Sequence, residues 1–282
     1  MASLRAAGRS TSETTGARGQ GGEGLPTSSA AETDDYIERN LRAWTRWAAE
    51  SVTEGRKAWS SEELRWGLWN TPESELKLVE ELEPGADVVE LGCGSAEISA
   101  GIARRGFRPA AVDFSRAQLD IAERLQREFG PSFPLIHANA EHVPYDYDSF
   151  DVAVSEYGAS LWCDPRRWLP EANRLLRPGG LLIFITNGAL LITCTSADGG
   201  QAGDRLVRSY FGSYRVEFTD DDTVEFHPTH SQWIQLLRAT GFALESMIEV
   251  RPPHGAKARF DFASVEWARH WPSEEIWVAR KF

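Results

Sequence analysis

Apolar side chains first recur at helical spacing at Ile37, Leu41, Trp44 and Ala48, which predicts an amphipathic helix. Ahead of it, residues 1–33 are Gly, Ser, Thr and Ala with hardly a large apolar side chain. Such a stretch cannot bury enough surface to offset its ordering entropy and is expected to be a flexible tail. Trp59, Trp66 and Trp69 then sit among polar residues, and Pro72-Glu73 is expected to open a helix through Leu82, N-capped by Thr71. Pro84-Gly85 marks the main boundary, leaving 34–83 as an N-terminal helical segment.

Beyond that boundary the period switches back and forth. Val88 to Leu91, Pro109 to Val112, Leu135 to Ala138, Phe150 to Ser155 and Leu181 to Thr186 read as strands. Between them lie a helix from Ala96 to Arg105, one capped by Ser115 with Ala117, Ile121, Leu125 and Phe129 on a shared face, and a stripe at Trp168, Ala172, Leu175 and Leu176. Strands alternating with helices imply right-handed βαβ units and a parallel sheet. The rhythm then changes. Tyr214 to Phe218 and Thr223 to His227, joined by Asp220-Asp221-Asp222, predict a hairpin. Ser231 to Thr240 predicts a helix, and Ala243 to Val250 and Ile276 to Lys281 two final strands.

Composition narrows the function. Across 282 residues, 30 Lys and Arg face 42 Asp and Glu, a formal charge of −12, which argues against a partner held by bulk electrostatics such as nucleic acid or anionic lipid. Three scattered cysteines are too few for a disulfide framework or a four-cysteine zinc site, so a reducing cytoplasm is the expected compartment. The longest apolar run, Leu181 to Cys194, is interrupted by Thr186-Asn187-Gly188 and is too short for a membrane span. The N-terminal stretch has no apolar h-region, so no secretory signal is expected.

The chemistry concentrates after the first strand of the alternating region. Gly92 and Gly94 make a turn where the backbone can approach a ligand and the next helix points its N-terminus at it. A tight turn with no ligand is the plain alternative. A dinucleotide site would place a third glycine where Glu97 stands, and a carboxylate there repels pyrophosphate. Glu90 precedes the turn, and Asp113 ends the second strand, where a carboxylate can accept both hydroxyls of a ribose. The ligand expected is a nucleoside without phosphates that carries positive charge. S-adenosylmethionine has those features.

The run Val88-Val89-Glu90-Leu91-Gly92-Cys93-Gly94-Ser95-Ala96 resembles motif I of the class I S-adenosylmethionine-dependent methyltransferases. Ala111-Val112-Asp113-Phe114-Ser115 is similar to their acidic second motif. Ala138-Asn139-Ala140-Glu141 with Val143-Pro144 and Ser149-Phe150-Asp151 resembles the run after their third strand, and Leu176-Arg177-Pro178-Gly179-Gly180 the one before the fifth. The nearest likeness is to small-molecule methyltransferases of the ubiquinone-biosynthesis-like group. The flanks, including Glu266-Trp267-Ala268-Arg269, resemble uncharacterised actinobacterial members. The resemblance implies an α/β, Rossmann-like, doubly wound and mostly parallel seven-stranded sheet with an antiparallel last strand. It also implies an N-terminal helical lid over 34–83, and a methyltransferase domain over 84–282 with an insertion at about 190–230.

It further implies that Gly92, Cys93 and Gly94 pass under the methionine moiety and Glu90 meets its ammonium. Asp113 would hold the ribose, Phe114 would lie against the adenine, Asn139 and Ala140 would contact its edge, and Ser155 would close the far side. Two residues depart from the pattern. Ala96 replaces a common third glycine, and Asn139 replaces the commoner Asp, offering an uncharged amide oxygen to the adenine amino group.

Methyl transfer is an in-line displacement that needs alignment and water exclusion, with a base only when the acceptor arrives protonated. Glu156 and Tyr157, after the fourth strand, and His227, near the hairpin, are the candidate catalytic residues. For each the plain alternative is a structural role. His227 and His230 lack a third ligand, so no metal is expected. The Trp-rich lead-in either walls the site or anchors the segment. The expected activity is methyl transfer to a small molecule; the alternative is a catalytically silent module that binds S-adenosylmethionine or S-adenosylhomocysteine and acts through a partner.

Overall fold

The computed structural model describes residues 30–282, with side chains from residue 35 onward; residues 1–29 of the expected tail lie outside the described residues. Helix α1 runs Ala30–Trp59 and carries the predicted stripe. A two-residue ribbon, β1 (Arg65–Trp66) with β2 (Thr71–Pro72), leads to the single-turn helix α2 (Glu73–Leu76). The helix expected to reach Leu82 stops because Lys77 turns left-handed at φ 56°, and Thr71 is a strand residue rather than a cap. The cause is a buried polar knot. Buried Glu73 accepts from Trp66 Nε1 at 2.6 Å and from the Val79 N–H at 2.7 Å, folding the chain back on itself.

Then come β3 (Asp87–Leu91), α3 (Glu97–Arg104), β4 (Arg108–Asp113), α4 (Arg116–Phe129), β5 (Leu135–His137), β6 (Phe150–Glu156), α5 (Ala159–Trp162), α6 (Pro165–Leu175) and β7 (Leu176–Asn187). The remainder is α7 (Ala189–Cys194), the hairpin β8 (Arg215–Phe218) and β9 (Thr223–Phe226), α8 (His230–Ala239), β10 (Phe242–Val250), α9 (Val265–His270) and β11 (Glu274–Lys281). The seven-stranded sheet has the order β10-β11-β7-β6-β3-β4-β5. β11 lies antiparallel between β10 and β7, and the pairs β7–β6, β6–β3, β3–β4 and β4–β5 are parallel. This is the doubly wound sheet with an antiparallel last strand.

Alternation along β3 fixes what each face does. Val89 and Leu91 join a core with Trp168, Trp233 and Phe242 on the α6/α8 side. Val88 faces the opposite core with Ile98 and Ile102 of α3. Glu90, in phase with Val88, therefore points toward α3. A third core joins α1 to α3 and α4 through Trp59, Ala100 and Leu125. After β3 the chain winds to β4 and β5, then returns to β6 on the other flank. The crevice at the C-terminal ends of β3 and β6 is the topological switch point, where ligands of such sheets bind. Among the described residues no helix is long and apolar enough to cross a membrane.

Candidate active site

A cavity of about 570 Å³ opens at that switch point. Its floor is the turn after β3, where two glycines do different jobs. At Gly92 (φ +79°) a Cβ would lie 2.6 Å from Gly158 Cα, so this glycine lets two backbones touch. At Gly94 (φ +53°) a Cβ would find only Gln118 Oε1 at 3.9 Å; its missing side chain leaves space in the cavity. Ala96 is left-handed at φ +59° and fully buried, so an L-residue stands at a position where glycine is unstrained.

Asp113 is buried at the tip of β4 and ties the turn together. Oδ2 accepts from the Gly94 N–H and Oδ1 from the Ser115 N–H, each at 2.8 Å. Burial pushes its carboxyl up to about 6 against those bonds. The Ser115 hydroxyl does not cap α4 as expected: the helix starts there, but its Oγ has no partner, and the Gln118 N–H goes instead to the Ser115 carbonyl at 3.1 Å. Asn139 lines the cavity, and its amide oxygen accepts from the Glu141 N–H at 3.0 Å, a bond the sequence does not suggest. Phe114, Ala140 and Cys93 also line it, and burial pushes the Cys93 thiol well above its usual range.

On the α3 side, carboxylates gather around one cation. Glu90 accepts from the Ser99 N–H at 2.9 Å and from the Ser99 hydroxyl, and burial pushes it up to about 8. Arg259 reaches Glu97 at 2.8 Å and Glu156 at 3.5 Å. Glu156, the last residue of β6, also accepts from the Gly67 N–H at 2.9 Å, and burial raises its pKa. Tyr157, left-handed at φ 50°, donates its hydroxyl to Glu274 at 2.9 Å; burial and the Glu274 charge hold the phenol well above its usual range. Glu274 in turn accepts from the Leu68 N–H at 2.7 Å and is pushed up to about 7 by burial. The short ribbon before the sheet thus supplies the N–H donors that hold two buried acids.

Helix α1 roofs the cavity. Trp59 Nε1 donates to the Ser95 carbonyl at 2.9 Å, directly on the turn. Toward the other end, the amide of buried Asn40 pairs with both main-chain groups of Val224 in β9, at 2.8 and 2.9 Å, so the helix is fastened to the hairpin. Tyr36 donates to Glu141 beside Asn139. The tryptophans divide their labour. Trp59, Trp66 and Trp69 are buried anchors, whereas Trp44 and Trp47 line the cavity and meet Trp162 edge to face at 5.4 and 6.1 Å.

Two expected site residues stand elsewhere. Ser155 is fully buried and does not reach the cavity; its hydroxyl donates to the Leu91 carbonyl at 2.9 Å and accepts from the Ser160 N–H at 3.0 Å, a strap beneath the turn. His227 is also outside the lining, because its Nε2 is engaged by Glu225 at 2.7 Å within the hairpin-to-helix junction; the group that reaches the cavity is Glu225. His230 pairs with a different acid, Glu275, at 2.8 Å, so the two histidines do not converge. Arg259 and Glu274 give no signal in the sequence, since nothing local ties them to a motif about 100 residues or more away. Asn187 reads there only as an interruption of an apolar run, yet it lines the cavity at the tip of β7 with Oδ1 buried and unpartnered.

Residues 89–184 match the model of the family described as a methyltransferase domain. A demethylmenaquinone methyltransferase of Clavibacter sepedonicus is 34% identical over 101 residues, 36% of this chain and 40% of that relative. The chain therefore spans less than half the length of this curated relative. An S-adenosylmethionine-dependent methyltransferase from Mesorhizobium loti superposes with a TM-score of 0.59 at 24% identity, covering 74% of this chain and 96% of that one. A Burkholderia thailandensis 1,6-didemethyltoxoflavin-N1-methyltransferase, solved with 1,6-didemethyltoxoflavin and S-adenosylhomocysteine, superposes with a TM-score of 0.56 at 16% identity over 92% of each chain. These two likenesses are of fold.

Proposed function

From the methyltransferase domain that residues 89–184 form, we propose that this chain transfers a methyl group from S-adenosylmethionine to a small-molecule acceptor in the cavity at the switch point. The observation that carries the reading is the charge around its glycine turn: among the described residues the carboxylates of Glu90, Glu97, Asp113 and Glu156 gather there against a single guanidinium, Arg259. A cofactor with a sulfonium and an ammonium relieves that imbalance, whereas a pyrophosphate worsens it. The open space over Gly94 and the Asp113 carboxylate beside it fit an uncharged nucleoside.

When bound, S-adenosylmethionine supplies a methyl carbon activated by its sulfonium. The chain's own residues hold and exclude. Asp113 keeps lone pairs beyond its two main-chain bonds for the ribose hydroxyls. Gly94 leaves the backbone bare beneath the methionine moiety, with Gly92 and Cys93 completing the turn, and Glu90 stands near its ammonium, which favours the ionised carboxylate against burial. Phe114, Asn139 and Ala140 flank the adenine. Helix α1 excludes water from above. Tyr157 donates its hydroxyl hydrogen bond to Glu274 and keeps its proton, and so orients the wall rather than acting as a base. Glu156 uses Oε1 for Gly67 and Arg259, and Oε2 makes no bond among the described residues. It is our candidate to take a proton from an acceptor that arrives protonated. The reading carries a cytoplasmic location.

The test is calorimetric titration with S-adenosylhomocysteine, followed by incubation with methyl-labelled S-adenosylmethionine and a metabolite panel under mass spectrometry. Tight binding with formation of S-adenosylhomocysteine and a singly methylated product is expected. Absence of cofactor binding would sink the reading.

A further inference from the structure

We propose that the acceptor is a hydrophobic amine, a ring-sized apolar body carrying a protonated nitrogen; the inference rests on the methyl-transfer reading of the same cavity. Away from the turn, the acids that line the cavity are Glu50 and Glu54 on α1, Asp220 and Asp221 at the hairpin tip, and Glu225 on β9. Glu54 and Asp221 have loose cationic neighbours, Lys57 at 3.8 Å and Arg46 at 3.9 Å, and Glu225 has His227. Glu50 and Asp220, both exposed, have no ion pair among the described residues. Among the described residues the lining holds no lysine or histidine, and its one arginine is taken by Glu97 and Glu156. A carboxylate or phosphate on the acceptor would meet only like charge, whereas a cation is drawn in.

The walls between these acids are apolar. Trp44 and Trp47 line the cavity and pack edge to face against Trp162, and Phe260 and Phe262 stack at 5.5 Å on the strap that carries Arg259. Indole faces attract an organic cation while burying its carbon skeleton. A second, independent observation points the same way. Asn187 is 7% exposed, lines the cavity and leaves Oδ1 without a donor. A buried carbonyl of that kind is costly until an N–H or O–H reaches it, and an amine brings that donor. A metal ion does not suit the site: among the described residues no three His, Cys, Asp or Glu side chains are grouped to hold one.

The experiment uses the full chain saturated with S-adenosylhomocysteine and three probes of one ring and different charge: tryptamine, indole and indole-3-acetate, titrated calorimetrically. Tryptamine is expected to bind about tenfold or more tighter than indole-3-acetate, with an advantage that shrinks as salt is added. The double variant Glu50→Gln, Asp220→Asn should reduce that advantage severalfold and leave S-adenosylhomocysteine affinity unchanged. Asn187→Leu should weaken tryptamine more than indole. Equal or tighter binding of the acid, no binding by any of the three, or an amine preference indifferent to all three substitutions overturns the inference. Protein that takes up S-adenosylhomocysteine yet shows such a result loses only this inference; protein that does not take it up loses the methyl-transfer reading too.

Discussion

The two glycines of the turn should fail in opposite ways when each is replaced by alanine. At Gly92 the added Cβ meets Gly158 Cα at 2.6 Å and the Ala159 nitrogen at 2.7 Å, both main-chain atoms that cannot swing aside. The left-handed backbone costs about 1 kcal/mol and the overpacking about 1–3 kcal/mol more. For a domain of this size that sum lowers Tm by roughly 4–16 °C. At Gly94 the Cβ has only a side-chain oxygen at 3.9 Å, so the folded protein should lose just the conformational term, about 1 kcal/mol and roughly 2–4 °C. The same Cβ projects into the cavity floor, and S-adenosylhomocysteine affinity should fall at least about tenfold, or 1.4 kcal/mol. Thermal unfolding by circular dichroism and titration calorimetry separate the two. If Gly94→Ala binds like the parent, the turn is not the cradle. If Gly92→Ala melts no lower than Gly94→Ala, the close backbone approach is not what Gly92 serves.

Further outcomes follow from the acids and the roof. Asp113→Ala should weaken S-adenosylhomocysteine by about 2–3 kcal/mol, because the ribose hydroxyls lose a charged acceptor; unchanged affinity in calorimetry places the ribose elsewhere. Arg259→Met leaves Glu97 and Glu156 without their cation and should cost about 3 kcal/mol, seen as a lower Tm that recovers in part as the pH is lowered and Glu156, whose pKa burial already raises, protonates. Glu90 at about 8, Glu274 at about 7 and Asp113 at about 6 all sit above their free values, so the folded chain holds protons that the unfolded one has released. Their contribution is fully present below the unfolded values and is lost as pH rises through about 6 to 8, so the ligand-free Tm should fall across that window. A cationic ligand should flatten the fall, and a Tm that rises with pH there contradicts the assignment. Asn40→Leu strips Val224 of both main-chain partners at a cost of about 2–3 kcal/mol, and hydrogen exchange should show the Val224 amide losing protection.

The sheet was legible in the sequence because each strand and helix announces itself locally. Val88–Leu91 is an apolar run closed by a glycine, α4 shows a stripe from Ala117 to Phe129, and the structure keeps both with shifts of a residue or so. The glycine turn and Asp113 were legible for the same reason, since their roles depend on near neighbours in the chain. What escaped was set by which partner a polar side chain finds, near in the chain or far. Glu73 ends a helix early because Trp66 and Val79 claim it. Ser155 looks like a pocket residue at the end of a strand, but Leu91 and Ser160 take its hydroxyl. His227 is drawn to Glu225, two positions back along the same extended segment, and Arg259 reaches Glu97 from 162 positions away. Side-chain destinations of this sort have no periodicity to betray them.

The fastening of Asn40 to Val224 has a consequence for traffic through the site. An asparagine amide that satisfies both main-chain groups of one strand residue behaves as one rung of a missing neighbour strand, so roof and hairpin are bound to travel as a single piece. With Trp59 riveting the opposite end to Ser95, that piece cannot tilt up like a hinged cover without breaking one mooring or the other.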